Sequence, residues 1–305
     1  RAMRVLSFLR DGRIHLGLPT DEGVVDVTAA AREGWPGVPG LPATMEELME
    51  AGEGGLQRLK SFQYQWGLHR HLSKALSPAL HPLNENAIEY APVVTCPEKI
   101  VCIGFNYASH AEEIGAEAPE FPEVFSVSNN ALAAHRQAIR LPSTARLYDY
   151  EAELVVVIGR ECSMVSKDNA LDYVFGYTCG NDISARELQG RTGQWYMGKS
   201  LDGFAPVGPW IATADSLDPT NLSISMKRGD EVVQNSNTQH LIFDCAYIVS
   251  YLSQYMTLRA GDLIFTGTPS GVVVGKPKGE RKWVAPGETL TVSIEGIGEL
   301  VNTTV

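Results

Sequence analysis

Tyr148-Asp149-Tyr150-Glu151-Ala152-Glu153-Leu154-Val155-Val156-Val157-Ile158 passes from mixed polar and apolar residues into an unbroken aliphatic run. A short run of this kind, rich in β-branched residues, reads as a buried β-strand. Side chains two apart on a strand share a face, so Glu151 and Glu153 point the same way at its mouth. Two carboxylates side by side there are costly unless one is protonated or a cation binds both. Gly180-Asn181-Asp182 closes another expected strand and supplies a third carboxylate. Hard oxygen ligands of this type suit Mg²⁺, Mn²⁺ or Ca²⁺ rather than zinc. The plainer alternative is a solvated strand edge with both glutamates in water.

Outward from this strand, the organisation is mostly β. Residues 3–9, 13–18 and 23–27 alternate apolar and polar, with Asp11-Gly12 and Asp21-Glu22-Gly23 as turns, which reads as an antiparallel meander. Thr44 followed by Glu47 forms a capping box that opens a helical region, interrupted at 52–55 and reaching about Leu80. The extended, proline-punctuated stretch 82–97 places a boundary near 92, giving a small N-terminal domain (1–92) and a main domain (93–305). Short strands follow at 100–104, 154–158, 210–213 and 262–265, with hairpins turning at Gly229-Asp230 and Gly296-Ile297-Gly298. Leu241, Ile242, Cys245, Ile248, Val249 and Leu252 recur at helical spacing, closed by Arg259-Ala260-Gly261. The βαβ alternation of a doubly wound sheet is missing, so the fold class is α+β and β-rich.

Composition narrows the function. The 305 residues carry 25 Lys and Arg against 36 Asp and Glu, a net charge of −11. That sign argues against a nucleic acid or an anionic membrane as partner. Hydrophobic residues make up 44% of the chain, enough for a substantial core. No apolar run approaches the ~20 residues of a membrane span, and nothing reads as a secretory signal once Arg1 and Ala2, which precede Met3, are set aside. Cys96, Cys102, Cys162, Cys179 and Cys245 form no Cys-x-x-Cys pair and read as buried thiols of a reducing compartment. The expected location is cytoplasmic.

Three further stretches bear chemistry. In Gly104-Phe105-Asn106-Tyr107-Ala108-Ser109-His110-Ala111-Glu112-Glu113, His110 and Glu113 are neighbours on an expected helix. A carboxylate beside an imidazole orients it for drawing a proton from water, although locally an exposed pair is the simpler reading. Gly193-Gln194-Trp195-Tyr196-Met197-Gly198-Lys199-Ser200 matches the P-loop pattern formally. Bulky Trp, Tyr and Met inside the loop, a polar approach, and Gly203 and Pro206 just after it exclude a phosphate cradle, leaving Lys199 as a candidate. Thr266-Gly267-Thr268-Pro269-Ser270-Gly271-Val272 leaves a strand as a small-residue loop suited to a carboxylate, or as an ordinary turn.

Taken in order, these segments resemble the fumarylacetoacetate hydrolase family, from about residue 97 to the C-terminus. The likeness rests on Gly-Phe-Asn-Tyr with His110 and Glu113, on Asp149 to Leu154, and on Gly176-Tyr177 through Asn181-Asp182-Ile183-Ser184-Ala185-Arg186-Glu187-Leu188-Gln189. It continues in Gly198-Lys199-Ser200-Leu201-Asp202, the Leu263–Val272 stretch and Ile294-Glu295-Gly296-Ile297-Gly298. The resemblance implies a roll of mixed β-sheets, preceded by the small α+β domain many members carry, and a homodimer. It implies Glu151, Glu153 and Asp182 as Mg²⁺ ligands (Mn²⁺ or Ca²⁺ as alternatives) and His110 with Glu113 as a water-activating pair. Lys199 and Gln189 become oxyanion and carbonyl stabilisers, and Thr268 an anchor for a substrate carboxylate. Implied substrates are 2-oxo acids and 1,3-dicarbonyls, such as those of aromatic catabolism.

Such a site serves hydrolysis of a C–C bond, the leading expectation, and equally decarboxylation or enol–keto isomerisation, since all pass through an enolate. A protein that binds metal and ligand without turnover is the alternative of another class. Two departures stand out: Val127 where members commonly carry the lysine of Phe-x-Lys, and Phe105 where some carry arginine. Both are expected to make the pocket more apolar.

Overall fold

The computed structural model describes residues 3–35, 37–69 and 77–305. Strand Ala152–Ile158 is buried throughout, with Leu154, Val156 and Ile158 in one hydrophobic core and Val155 and Val157 in another. Alternate residues therefore serve opposite faces, which explains the unbroken aliphatic run. Each fully buried Val or Leu contributes roughly 1.5–3 kcal/mol. This strand lies inside an 11-stranded sheet. It pairs antiparallel with Val174–Asn181 on one side and Leu263–Phe265 on the other. Leu263–Phe265 in turn pairs parallel with Ile100–Gly104, beyond which Glu123–Ser126 forms the edge. A separate four-stranded sheet carries the two late hairpins, Ser223–Arg228 with Glu231–Asn237 and Thr289–Ile294 with Gly298–Thr303.

The N-terminal meander forms as expected, over Arg4–Arg10, Arg13–Thr20 and Gly23–Asp26. Asp11 and Gly12 turn at φ of 52° and 71°, the left-handed pair of a two-residue hairpin. The meander continues the large sheet, because Arg4 and Val5 pair with Ala212 and Ile211 of strand Ala205–Thr213. Leu48, Leu59, Phe62 and Trp66 from the N-terminal helices share a core with Val155, Val157 and Phe265. Sheet and core thus both cross residue 92.

Several boundaries differ from expectation. The helical region is two helices, Met45–Glu50 and Gly52–His69, broken where Gly52 adopts φ of 55°; Gly54 and Gly55 lie within the second helix. Thr44 accepts from the Glu47 N–H, but the Glu47 carboxylate reaches back to the N–H of Ala43. The expected helix over 70–76 lies outside the described residues. The helix expected from Leu241 spans only Cys245–Ser253, because the Asp244 carboxylate caps the Tyr247 N–H. Ahead of it, the Ile242 N–H is taken by the Asn106 carbonyl, and beyond it Leu258 pairs with Cys162. Cys96 is exposed, whereas the other four cysteines are buried. Among the described residues, no helix is long and apolar enough to cross a membrane.

Candidate active site

Register builds the acidic cluster. Asn181 faces Ala152 across the ladder, and the Asp182 N–H donates to the Glu151 carbonyl at 3.0 Å. Glu151, Glu153 and Asp182, all buried, thereby offer carboxylate oxygens within 4.8 Å of one another. Lys199 Nζ bridges two of them, 2.8 Å from Glu151 Oε2 and 2.7 Å from Asp182 Oδ2. Arg186 Nη2 lies 2.8 Å from Glu151 Oε1 and 2.9 Å from Asp149 Oδ2. Asp149 is itself buried and accepts the N–H groups of Val273 and Val274.

Four buried carboxylates, Asp149, Glu151, Glu153 and Asp182, thus face two cations, the buried Lys199 and the half-buried Arg186. With all four carboxylates ionised the excess is two negative charges, which one divalent cation would cancel. Burial, then Asp182 and Glu151, push the Glu153 carboxyl well above the usual carboxylate range. Burial lifts Asp182 to about 7 despite Lys199 beside it. For Glu151 the burial penalty is overcome by Lys199 and Arg186, which hold it down at about 2. Asp182 Oδ1 is buried without a hydrogen-bond partner. The spread of the oxygens is one that metal–oxygen bonds of about 2.1–2.5 Å can span. The donor set fits a hard dication.

The helix Ala108–Glu113 sets the imidazole over this cluster. Phe105 leaves strand Ile100–Gly104 at φ of 52°, and the Asn106 side chain then ties the turn to the carbonyls of Phe243 (3.0 Å) and Thr266 (2.7 Å). His110 Nδ1 lies 2.8 Å from Glu113 Oε1, while Glu113 Oε2 accepts the Gly271 N–H at 2.9 Å. With Nδ1 occupied, Nε2 is the nitrogen left for a ligand.

Two short helices, Arg186–Gln189 and Tyr196–Lys199, bring Gln189 and Lys199 together. Gly198 allows their contact, because a Cβ there would fall 2.4 Å from the Gln189 nitrogen. Gln189 Oε1 accepts from Arg186 Nη1, so its amide NH₂ remains for a ligand carbonyl. Burial opposes the charge on Lys199, but Asp182 and Glu151 together hold it above the ordinary lysine value. The segment that mimics a P-loop is therefore a helix committed to carboxylates. Thr268 Oγ1 accepts from Gln234 Nε2 at 2.8 Å, which leaves its own proton to donate.

A cavity of about 270 Å³ gathers His110, Glu151, Glu153, Gln189, Lys199 and Thr268 in its lining, with Glu113 and Asp182 directly behind. Sequence reasoning did not assign Arg186, Asp149 or Gln234. Arg186 stands three residues before Gln189 and Asp149 two before Glu151, spacings that could have suggested shared faces. Gln234, on a distant hairpin, carries no local signal. Phe105, one of the two departures, lines the cavity beside Phe125, whereas Val127 is not among the lining residues. Val127 follows the edge strand, which ends at Ser126, and is buried in the same core that Phe125 packs against.

Comparison with known proteins agrees with this architecture. The family model described as fumarylacetoacetate (FAA) hydrolase C-terminal matches residues 99–305. The mitochondrial oxaloacetate tautomerase FAHD2A of Bos taurus is 36% identical over 297 residues, covering 95% of this chain and 87% of that protein. The fumarylacetoacetate hydrolase of Exiguobacterium antarcticum superposes with a TM-score of 0.78 at 29% identity, over 99% of each chain. The 2-hydroxyhepta-2,4-diene-1,7-dioate isomerase of Mycobacterium marinum gives 0.73 at 29% identity, over 100% of this chain and 98% of that one. With the motif order, the sheet topology and the gathered acidic site, these likenesses show that the chain belongs to the fumarylacetoacetate hydrolase family.

Proposed function

We propose that this protein is a divalent-cation-dependent enzyme that acts on an enolisable 2-oxo acid by keto–enol proton transfer. The observation that carries the reading is one cavity holding an imidazole and an ammonium over three clustered, buried carboxylates. A cation held by Glu151, Glu153 and Asp182 would supply Lewis-acid polarisation of the 2-oxo group.

The chain's own residues do the rest. His110 Nε2 takes a proton from the carbon next to the 2-oxo group, and Glu113 holds the Nδ1–H and stabilises the charge that forms on the ring. Two of the three Lys199 N–H donors are spent on Glu151 and Asp182, and the third, with the Gln189 amide, is free for the oxygen where negative charge develops. The Thr268 hydroxyl donates to the substrate carboxylate. The proton on Nε2 then passes to the 2-oxygen, completing the tautomerisation with no atom gained or lost. Resemblance to a tautomerase over nearly the whole chain supports this branch.

The His110–Glu113 pair supports a second reading, in which it activates water for C–C cleavage of an acylpyruvate-type substrate. One experiment separates them: the Mg²⁺-loaded protein is given enol forms of oxaloacetate and phenylpyruvate and an acylpyruvate, following enol absorbance and product mass. Accelerated enol decay at constant mass supports proton transfer, fragments with added water assign hydrolysis, and loss of carbon dioxide assigns decarboxylation. No turnover of any of them, with Mg²⁺, Mn²⁺ or Ca²⁺, refutes the enzymatic reading. The homodimer expected from the resemblance is checked by light scattering.

A further inference from the structure

One wall of the cavity is a chain of aromatic rings running from His110 to Lys199. The Phe105 ring lies 6.3 Å from the His110 ring, and Trp195 sits edge-on to Phe105 at 5.2 Å and to Phe125 at 5.1 Å. Lys199 Nζ lies 5.4 Å from the Phe125 ring centre. All three aromatics are half-buried and line the cavity. Gly104 lets the Trp195 ring lie against the end of strand Ile100–Gly104, since a Cβ there would fall 2.7 Å from the ring. Ile103, Ile114 and Val274 extend the apolar lining.

The charges in the lining tell the other half. Its lysine and arginine are Lys199 and Arg186: Lys199 is paired with Glu151 and Asp182, its remaining N–H serving the 2-oxo head, and Arg186 is paired with Asp149 and Glu151. A second carboxylate on the substrate, beyond the 2-oxo acid head, would meet aromatic rings and no uncommitted lysine or arginine among the described lining residues. Desolvating a carboxylate there is costly, whereas an aryl or alkyl group gains contact with the rings.

We infer that the pocket selects a 2-oxo acid whose far substituent is uncharged and apolar, preferably aromatic, and discriminates against dicarboxylates. This deepens, and rests on, the proposed action on 2-oxo acids. It sets the chain apart from relatives named for oxaloacetate.

The test is calorimetric titration of the Mg²⁺-loaded protein with oxalate, oxaloacetate and phenylpyruvate, alongside KM for the last two. Oxalate reports the head site alone. Phenylpyruvate is expected to bind about tenfold more tightly than oxaloacetate. Trp195→Leu and Phe125→Leu should each bring that ratio close to one. Equal or tighter binding of oxaloacetate, or a ratio untouched by both variants, overturns the assignment while the head site stands on oxalate binding. Failure of all three ligands to bind overturns the 2-oxo acid reading, and the pocket assignment falls with it. Should Trp195→Leu not fold, Phe125→Leu on the edge strand and the wild-type ranking still decide.

Discussion

Replacing Glu113 with glutamine keeps the side chain's shape and removes its charge, which isolates what the carboxylate does for His110. The carboxylate packs directly on the backbone of Gly275, where a Cβ would lie 2.5 Å from Glu113 Cδ. The carboxylate accepts on both oxygens, from His110 Nδ1 at 2.8 Å and from the Gly271 N–H at 2.9 Å. An amide can accept on one side only. If its oxygen stays on Gly271, its NH₂ faces Nδ1, which must then accept, and the ring proton moves to Nε2 where the base is needed. If the amide is turned, two N–H groups face each other at Gly271, leaving a donor unsatisfied at about 1–3 kcal/mol. Losing a charge-assisted hydrogen bond is worth about 1.5–3 kcal/mol, so kcat should fall by about 10- to 150-fold. Enol decay measured spectrophotometrically at saturating substrate gives kcat, and calorimetry with Mg²⁺ verifies that the acidic cluster still binds. A Glu113→Gln protein with wild-type kcat and an unchanged pH–rate profile would refute this account of the dyad.

Stripping divalent ions with a chelator should abolish activity and lower Tm, and restoring Mg²⁺ to a hundredfold above its Kd should return about 2.7 kcal/mol of stability; calorimetric scans unaffected by either step would remove the metal from the account. Gly198→Ala should push apart the helices carrying Gln189 and Lys199, since the new Cβ would lie 2.4 Å from a backbone nitrogen, costing about 1–3 kcal/mol with a marked drop in kcat. Wild-type values of both in urea titrations and rate assays would show that the contact is not needed. His135, pushed down to about 4 by burial and by Arg136, contributes stability that is complete above its ordinary value of 6.5 and is lost as pH falls toward 4. That loss amounts to about 3 kcal/mol, so unfolding free energies at pH 7 and pH 4 should differ less in His135→Gln than in the wild type. Equal pH dependence in the two proteins would contradict it.

Much of the fold was legible because its decisive elements are local. The aliphatic run after Glu153 is a strand buried on both faces, and the meander and late hairpins follow from alternation and turn residues. Boundaries slipped where a competing hydrogen bond ended an element that periodicity would have extended. Asp244 capping Tyr247 cut the helix expected from Leu241, and positive φ at Gly52 split the N-terminal helical region.

What the residues alone could specify was geometry set by a backbone repeat: Glu151 beside Glu153 on a strand, and His110 beside Glu113 on a helix. Spacing of two or three positions dictates those pairs wherever the segment lies. The rest of the site is built from distances between elements. Asp182 reaches Glu151 through the pairing of two strands, where Asn181 also accepts the Glu151 N–H from 30 positions away, Lys199 is set between them by packing at Gly198, and Gln234 secures Thr268 from another sheet. The aromatic wall likewise joins Phe105, Phe125 and Trp195 from three separate segments. Charge balance and close packing are conditions on the folded whole, so the clustered buried carboxylates and the apolar far wall emerge only once the chain has closed on itself.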